Sequence, residues 1–243
     1  MSKVFCIAFA AAVAMALPIC ATAGPYSTNF EGFALGPVDG QDGWVNDCVG
    51  YSAIDPVIAN DPTGGGHGKV LQIDPPTDEL DYAWSGAFRA CGDLVAEGVS
   101  RFELSWDQWR TGFADILWIV ENPDLTGWQA QEWDGSIYPI STDLLPSAAL
   151  AAQEWQNIRL AFDVDAGTLE GFIDNVSFGA ATGQTFDKFR GIDFQVMVTW
   201  GGVAGPNYID NVSLVVTEPV PEPSSLLALA GLLPGLALLR RRK

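Results

Sequence analysis

Histidine is almost absent from this 243-residue chain, which contains only His67. Zinc sites built from histidine clusters, histidine proton relays and most metal-hydrolase constellations are excluded on that count. Cations are scarce too: 12 Lys and Arg stand against 30 Asp and Glu, a formal net charge of −18. The imbalance sharpens over residues 24–218, where 29 acidic and 7 basic side chains leave −22. A segment so charged repels polyanions, so nucleic acid is excluded as a partner. Long apolar runs are confined to the two ends, and there are only four cysteines. One core flanked by processing segments is the organisation these features predict.

At the N-terminus Lys3 supplies a positive start, Val4 to Leu17 an apolar stretch, and Ala21-Thr22-Ala23 a small-x-small site before Gly24. This is the pattern of a signal peptide, residues 1–23, cleaved after Ala23, and it implies the Sec export machinery as a partner. Pro18 interrupts the run short of the ~20 residues a membrane-spanning helix needs. Ile19 stands before Cys20, where lipid attachment requires a small side chain. Loss of the leader removes Cys6 and Cys20 and leaves Cys48 and Cys91. In an oxidising compartment that even pair predicts one disulfide, with two buried free thiols as the alternative.

The C-terminus has three parts: Val220-Pro221-Glu222-Pro223-Ser224-Ser225, the apolar run Leu226 to Leu239, and Arg240-Arg241-Arg242-Lys243. The two prolines hold an extended backbone that a processing enzyme can grip. As a helix the 14 apolar residues would span about 21 Å, short of the ~30 Å hydrocarbon core. The terminal cations belong on the cytoplasmic side, so the tail is expected to anchor an exported body in the inner membrane, marginally. These parts closely resemble the PEP-CTERM sorting signal of Gram-negative bacteria. The resemblance implies an exosortase as partner, recognition of Val220, Pro221, Glu222 and Pro223, removal of the tail, and release to the cell surface or an exopolysaccharide matrix. It says nothing of what the sorted cargo does.

Between Gly24 and Glu218, Pro and Gly punctuate short runs rich in Val, Ile, Phe, Trp and Tyr. That composition predicts an all-β fold, an antiparallel β-sandwich or jelly roll. Strands are expected at 70–73, 83–88, 102–109, 116–120, 157–164, 169–173, 194–199 and 209–216. Phe102, Leu104 and Trp106 alternate with Glu103, Ser105 and Asp107, the period of a strand with one buried face. Thr142 to Gln153 alone is expected to be helical, with Pro146 near its first turn. The sequence Phe172-Ile173-Asp174-Asn175-Val176-Ser177-Phe178 recurs as Tyr208-Ile209-Asp210-Asn211-Val212-Ser213-Leu214. The surrounding residues do not align, so this reads as shared strand chemistry and not as a repeat array.

Asn29-Phe30-Glu31, Gly40-Gln41-Asp42-Gly43-Trp44, Trp155-Gln156-Asn157-Ile158-Arg159-Leu160 and the segment Tyr208 to Leu214 together resemble the concanavalin A-like lectin/glucanase superfamily and jelly-roll carbohydrate-binding modules. The resemblance implies a sandwich and a carbohydrate ligand. In calcium-binding modules of this kind an acidic residue near the first strand and an Asp in the last strand meet, and Glu31 and Asp210 match those positions, making structural calcium a candidate cofactor. Retaining glucanases on this scaffold carry Glu-x-Asp-x-x-Glu or a run one residue shorter, holding two carboxyls about 5 Å apart. No such run is present, so catalytic residues are not assigned and the protein is expected not to be an enzyme.

All nine tryptophans lie within residues 24–218. Indole faces stack on sugar rings as well as in cores. Trp106 and Trp118, among alternating apolar residues, are expected in the core. Trp109, Trp128 and Trp133 have polar neighbours and are the candidates for a binding platform. The glycine-rich stretch from Thr63 to Lys69 lacks the spacing and the hydroxyl of a phosphate loop. It is expected to be a flexible turn that leaves His67 exposed. The resulting expectation is a sorted, non-enzymatic surface protein that binds polysaccharide, with a ligand-free structural protein, or a polysaccharide-degrading enzyme, as alternatives.

Overall fold

The computed structural model describes residues 24–217 except 49, 78–82, 112–114, 121–128, 134–135, 140–147, 150, 184–185, 187–188, 190 and 199–204. The signal peptide and the sorting tail lie outside the described residues. The strands are β1 (Tyr26–Thr28), β2 (Gly36–Pro37), β3 (Trp44–Asn46), β4 (Val57–Asn60), β5 (Lys69–Ile73), β6 (Trp84–Ala90), β7 (Arg101–Arg110), β8 (Asp115–Val120), β9 (Gln129–Trp133), β10 (Ser136–Pro139), β11 (Ala148–Ala149), β12 (Gln156–Asp163), β13 (Thr168–Ile173), β14 (Val176–Ala181), β15 (Gly191–Val198) and β16 (Asn207–Val216). All eight expected strands are present.

Among the described residues they form two antiparallel sheets. The first has nine strands, in the order β14-β13-β12-β7-β16-β5-β4-β2, with β1 also paired to β16. The second has seven, in the order β11-β10-β9-β8-β15-β6-β3. The inner row of β7, Phe102, Leu104 and Trp106, is fully buried and stands opposite Phe162, Leu160 and Ile158 of β12. Trp106 reaches the second sheet, where its ring lies 5.7 Å from that of Phe194. Each such ring contributes about 2–3 kcal/mol by leaving water, so this row is what joins the layers. The chain is a β-sandwich.

The hairpin between β12 and β13 turns where expected. Asp163 accepts the Ala166 amide at 2.9 Å, and Gly167 takes φ 60°. Hydrogen bonding from the Ala166 amide, with Arg101 alongside, holds the Asp163 carboxyl below its usual range.

Two expectations need correction. Within Thr142 to Gln153, Ala148 and Ala149 pair with Ile137 and Ser136 as strand β11; residues 142–147 and 150 lie outside the described residues. Sheet-edge pairing overrides the local helix preference of alanine.

The second correction is the Cys48–Cys91 disulfide, because both thiols are free. The Cys48 thiol lies beside the carbonyls of Ile54 and Gly86, and that of Cys91 beside the carbonyl of Arg89, past the end of β6. From Gly86 to Cys91 the strand rises about 16 Å, and a disulfide needs Cα atoms within ~7 Å.

Candidate functional site

The outer face of the nine-stranded sheet carries the odd-numbered residues of β7, from Glu103 to Trp109. Across it, Asp107 stands opposite Asn157 of β12 and Asp210 of β16, and Trp109 stands opposite Tyr208. Between Asp210 and Ser213 the register slips against Asp107 and Ser105, so β16 holds one extra residue there. Asn211 takes φ 48° at this bulge, a conformation asparagine tolerates better than most residues.

The bulge has two consequences. Asn211 donates its side-chain amide to Asp107 Oδ2 at 2.7 Å, while Asn157 donates to Oδ1, also at 2.7 Å. It also opens a cleft of about 440 Å³ between β1 and β16, lined by Ser27, Thr28, Asn29, Asn211, Val212 and Ser213. That volume is within the range of small-ligand pockets, and no lining side chain is charged.

His67 is not the exposed loop residue expected from the sequence; its side chain keeps only 16% of its accessible surface. Its Nδ1 lies 2.9 Å from Asp210 Oδ2, and its ring stacks on Trp155 with centroids 3.8 Å apart. Trp155 donates Nε1–H to Thr63 Oγ1 at 2.9 Å, and Asp61 accepts from the Thr63 hydroxyl and backbone amide and from the His67 amide. These contacts pin the glycine-rich turn onto the sheet. Burial pushes the Asp210 carboxyl up, against hydrogen bonds from the Asn211 amide and the His67 ring. At Asp61 burial also pushes up, but the bonds from Thr63 and His67 outweigh it and the carboxyl titrates low. Burial raises the Tyr208 phenol, and Asp74 and Asp61 raise it further.

Three separate sequence candidates, Trp109, Asp210 and Glu31, converge on this face. The Trp109 ring lies 5.4 Å from that of Tyr208 and is half-buried. Glu31 instead splices β1 to β5: its Oε1 accepts the Lys69 amide at 2.9 Å, while Lys69 Nζ donates to the Glu31 and Phe33 carbonyls. Gly68 takes φ 64°, a left-handed conformation that favours glycine, and it lies against the Glu31 carboxylate. One oxygen of Glu31 accepts a backbone amide and one of Asp210 meets the His67 imidazole. Among the described residues no group of three or more His, Cys, Asp or Glu is placed to hold a metal.

The other platform candidates do not join Trp109. Trp133 ends β9 in the seven-stranded sheet, paired with Ser136 of β10. Trp128 lies outside the described residues. Of the outward carboxylates of β7, Glu103 is held by Arg159 Nη1 at 3.1 Å and Asp107 by its two amides. Trp155 and Tyr208 were not singled out in the sequence. The only signal for them was their inclusion in motifs read for fold.

The question of address falls to the tail. Over residues 219–243 the sequence matches the PEP-CTERM protein-sorting motif. The chain carries a PEP-CTERM sorting signal. A PEP-CTERM motif implies export, membrane anchoring before processing, and processing by exosortase. No curated protein sequence matches the chain. Solved structures do match its PEP-CTERM-tagged sandwich. A sialidase aligns with TM-score 0.57 and 13% identity over 81% of this chain and 19% of its own. The botulinum neurotoxin serotype D/C VPI 5993 binding domain aligns with TM-score 0.52 and 10% identity over 83% of this chain and 50% of its own. An endo-β-1,4-glucuronan lyase from the fungus Trichoderma reesei aligns with TM-score 0.50 and 8% identity over 79% of this chain and 95% of its own. The PEP-CTERM chain spans about a fifth of the sialidase and half of the toxin domain, and at these identities the likeness is one of fold.

Proposed function

We propose that this exported, PEP-CTERM-sorted sandwich binds extracellular polysaccharide on the outer face of its nine-stranded sheet and acts by adhesion, without catalysis. The observation that carries the reading is a cleft lined by hydroxyl and amide groups on the face that also carries Trp109, which is half-buried and packs on the buried Tyr208 ring. A pyranose presents apolar C–H faces and a rim of hydroxyls, so an indole beside neutral hydrogen-bonding groups matches both parts. The tail supports the setting, because a protein exported under this motif meets surface and matrix glycans. The engaged state of Glu103, held by Arg159, and of Asp107, whose two oxygens each accept an amide, supports binding over hydrolysis.

The test is glycan-array binding by the purified full chain in detergent, comparing the native protein with Trp109→Ala and Ser27→Ala. Retention on at least one polysaccharide class is expected, weakened roughly tenfold by the Trp109 change, the equivalent of one lost ring contact. Reducing ends should not be released during incubation. Binding to no glycan would leave a structural surface protein, and released reducing ends would make it an enzyme.

A further inference from the structure

Resting on the polysaccharide reading above, we infer that this face selects uncharged or amine-bearing glycans and excludes polymers carrying uronate or sulfate. The argument starts at Asp107. Both of its oxygens are hydrogen-bonded by side-chain amides, Asn157 Nδ2 and Asn211 Nδ2, each at 2.7 Å. An ionised carboxylate only accepts, so it fixes which end of each amide faces it. The nitrogens point at Asp107, and each amide turns its carbonyl oxygen elsewhere. At Asn211, whose side chain also lines the cleft, this presents an acceptor to a ligand. Such a face is matched by donors: sugar hydroxyls or ammonium groups.

Among the described residues, the cations are already engaged or turned away from this face. Lys69 Nζ is taken by the carbonyls of Glu31 and Phe33. Arg159 lies 3.6 Å over the Phe172 ring and is bonded to Glu103. Arg101 is bonded to Asp163 and Arg89 to the carbonyl of Asp42, while Arg110 is buried on the opposite side of the sheet. Beside these, Asp61 and Asp74 add negative potential at Tyr208. The charge of −22 across residues 24–218 carries the same sign outward, and salt screens that long-range part within about 8–10 Å.

Affinity electrophoresis of the full chain in detergent decides this, using gels containing a neutral β-glucan, a partly deacetylated amino-sugar polymer or a polyuronate. Migration should be retarded by the neutral polymer independently of salt, and by the amine polymer more strongly at low salt than at high salt. It should be unaffected by the polyuronate. Asp107→Asn puts an amide where only an acceptor fits, so Asn157 or Asn211 must turn over. It should weaken neutral-polymer binding about tenfold while the melting curve stays cooperative, and Ser27→Ala supplies a check if that variant fails to fold. Polyuronate binding as strong as neutral binding, or unchanged binding by Asp107→Asn, overturns the selectivity while leaving glycan binding intact. Retardation by none of the three polymers overturns this inference together with the adhesion reading.

Discussion

Two aspartates on opposite sides of the sandwich show what the excess of acid costs and what it permits. Asp107, half-buried on the outer face of the nine-stranded sheet, has one amide donor for each oxygen. Asp193, on β15 of the other sheet, is 5% exposed and shares the amide of Gln195 with Asp47. Its second oxygen has no hydrogen-bond partner among the described residues. The segment after β3 covers it, tied down by the Asp47 amide on the Gly86 carbonyl and the Ile54 amide on Ser85. Burial pushes the Asp193 carboxyl well above its usual range, and the neighbouring Asp47 pushes it further. One carboxylate is supplied with donors at an open face. The other is covered with too few donors, and burial raises the pH at which it gives up its proton.

The largest effect should come from breaking the better-served site. Asp107→Ala removes the shared acceptor of two amides that tie β12 and β16 across β7. Two charge-assisted bonds, discounted for partial exposure, are worth roughly 2–3 kcal/mol, a fall in Tm of about 5–10 °C for a domain of this size. A loss below ~0.5 kcal/mol would mean that the clamp is no better than a solvated surface contact and that the contrast with Asp193 is false.

Asp193→Asn should act in the opposite direction. With its folded-state pKa raised, Asp193 keeps its proton in the folded chain while the unfolded chain loses it, so stability falls as pH rises from the usual value of 3.8 through the raised one. Asparagine has no proton to lose. The variant should match the native protein at low pH and exceed it at neutral pH by about 1 kcal/mol, read as a Tm difference of roughly 2–4 °C. A variant less stable at neutral pH would reverse the reading of this pair.

Much of this fold was legible because strand period is a local property. The alternation from Phe102 to Asp107 identifies one buried face of β7 without reference to anything distant. The site was less legible because it depends on register. The two copies of Ile-Asp-Asn-Val-Ser take different shapes: Asp174 and Asn175 both adopt positive φ in the turn between β13 and β14, whereas only Asn211 does so in the second copy, where it forms the bulge. Nothing within either copy distinguishes them, since the difference lies in which strands pair alongside. His67 escaped for the same reason. It is 143 positions away from the carboxylate that holds it, and its neighbours in the sequence are glycines.

The smallest effect concerns sulfur, and it too turns on the face of Asp193. Cys48 follows Asp47 directly; burial raises its thiol, and Asp55 and Asp47 add to the rise. Burial raises the Cys91 thiol as well, against the nearby Arg89. Both are therefore protonated and poor nucleophiles at neutral pH, which lets two cysteines remain unlinked in an exported chain. If they were joined, reduction would cost about 4 kcal/mol on the loop-entropy account, or at least ~8 °C in Tm. Adding reductant should instead move Tm by less than ~1 °C. Thiol titration without reductant should find Cys48 and Cys91 both reactive after unfolding and nearly silent before it. A large reductant-induced drop would require the segment after β3 to lie elsewhere, and with it the cover over Asp193.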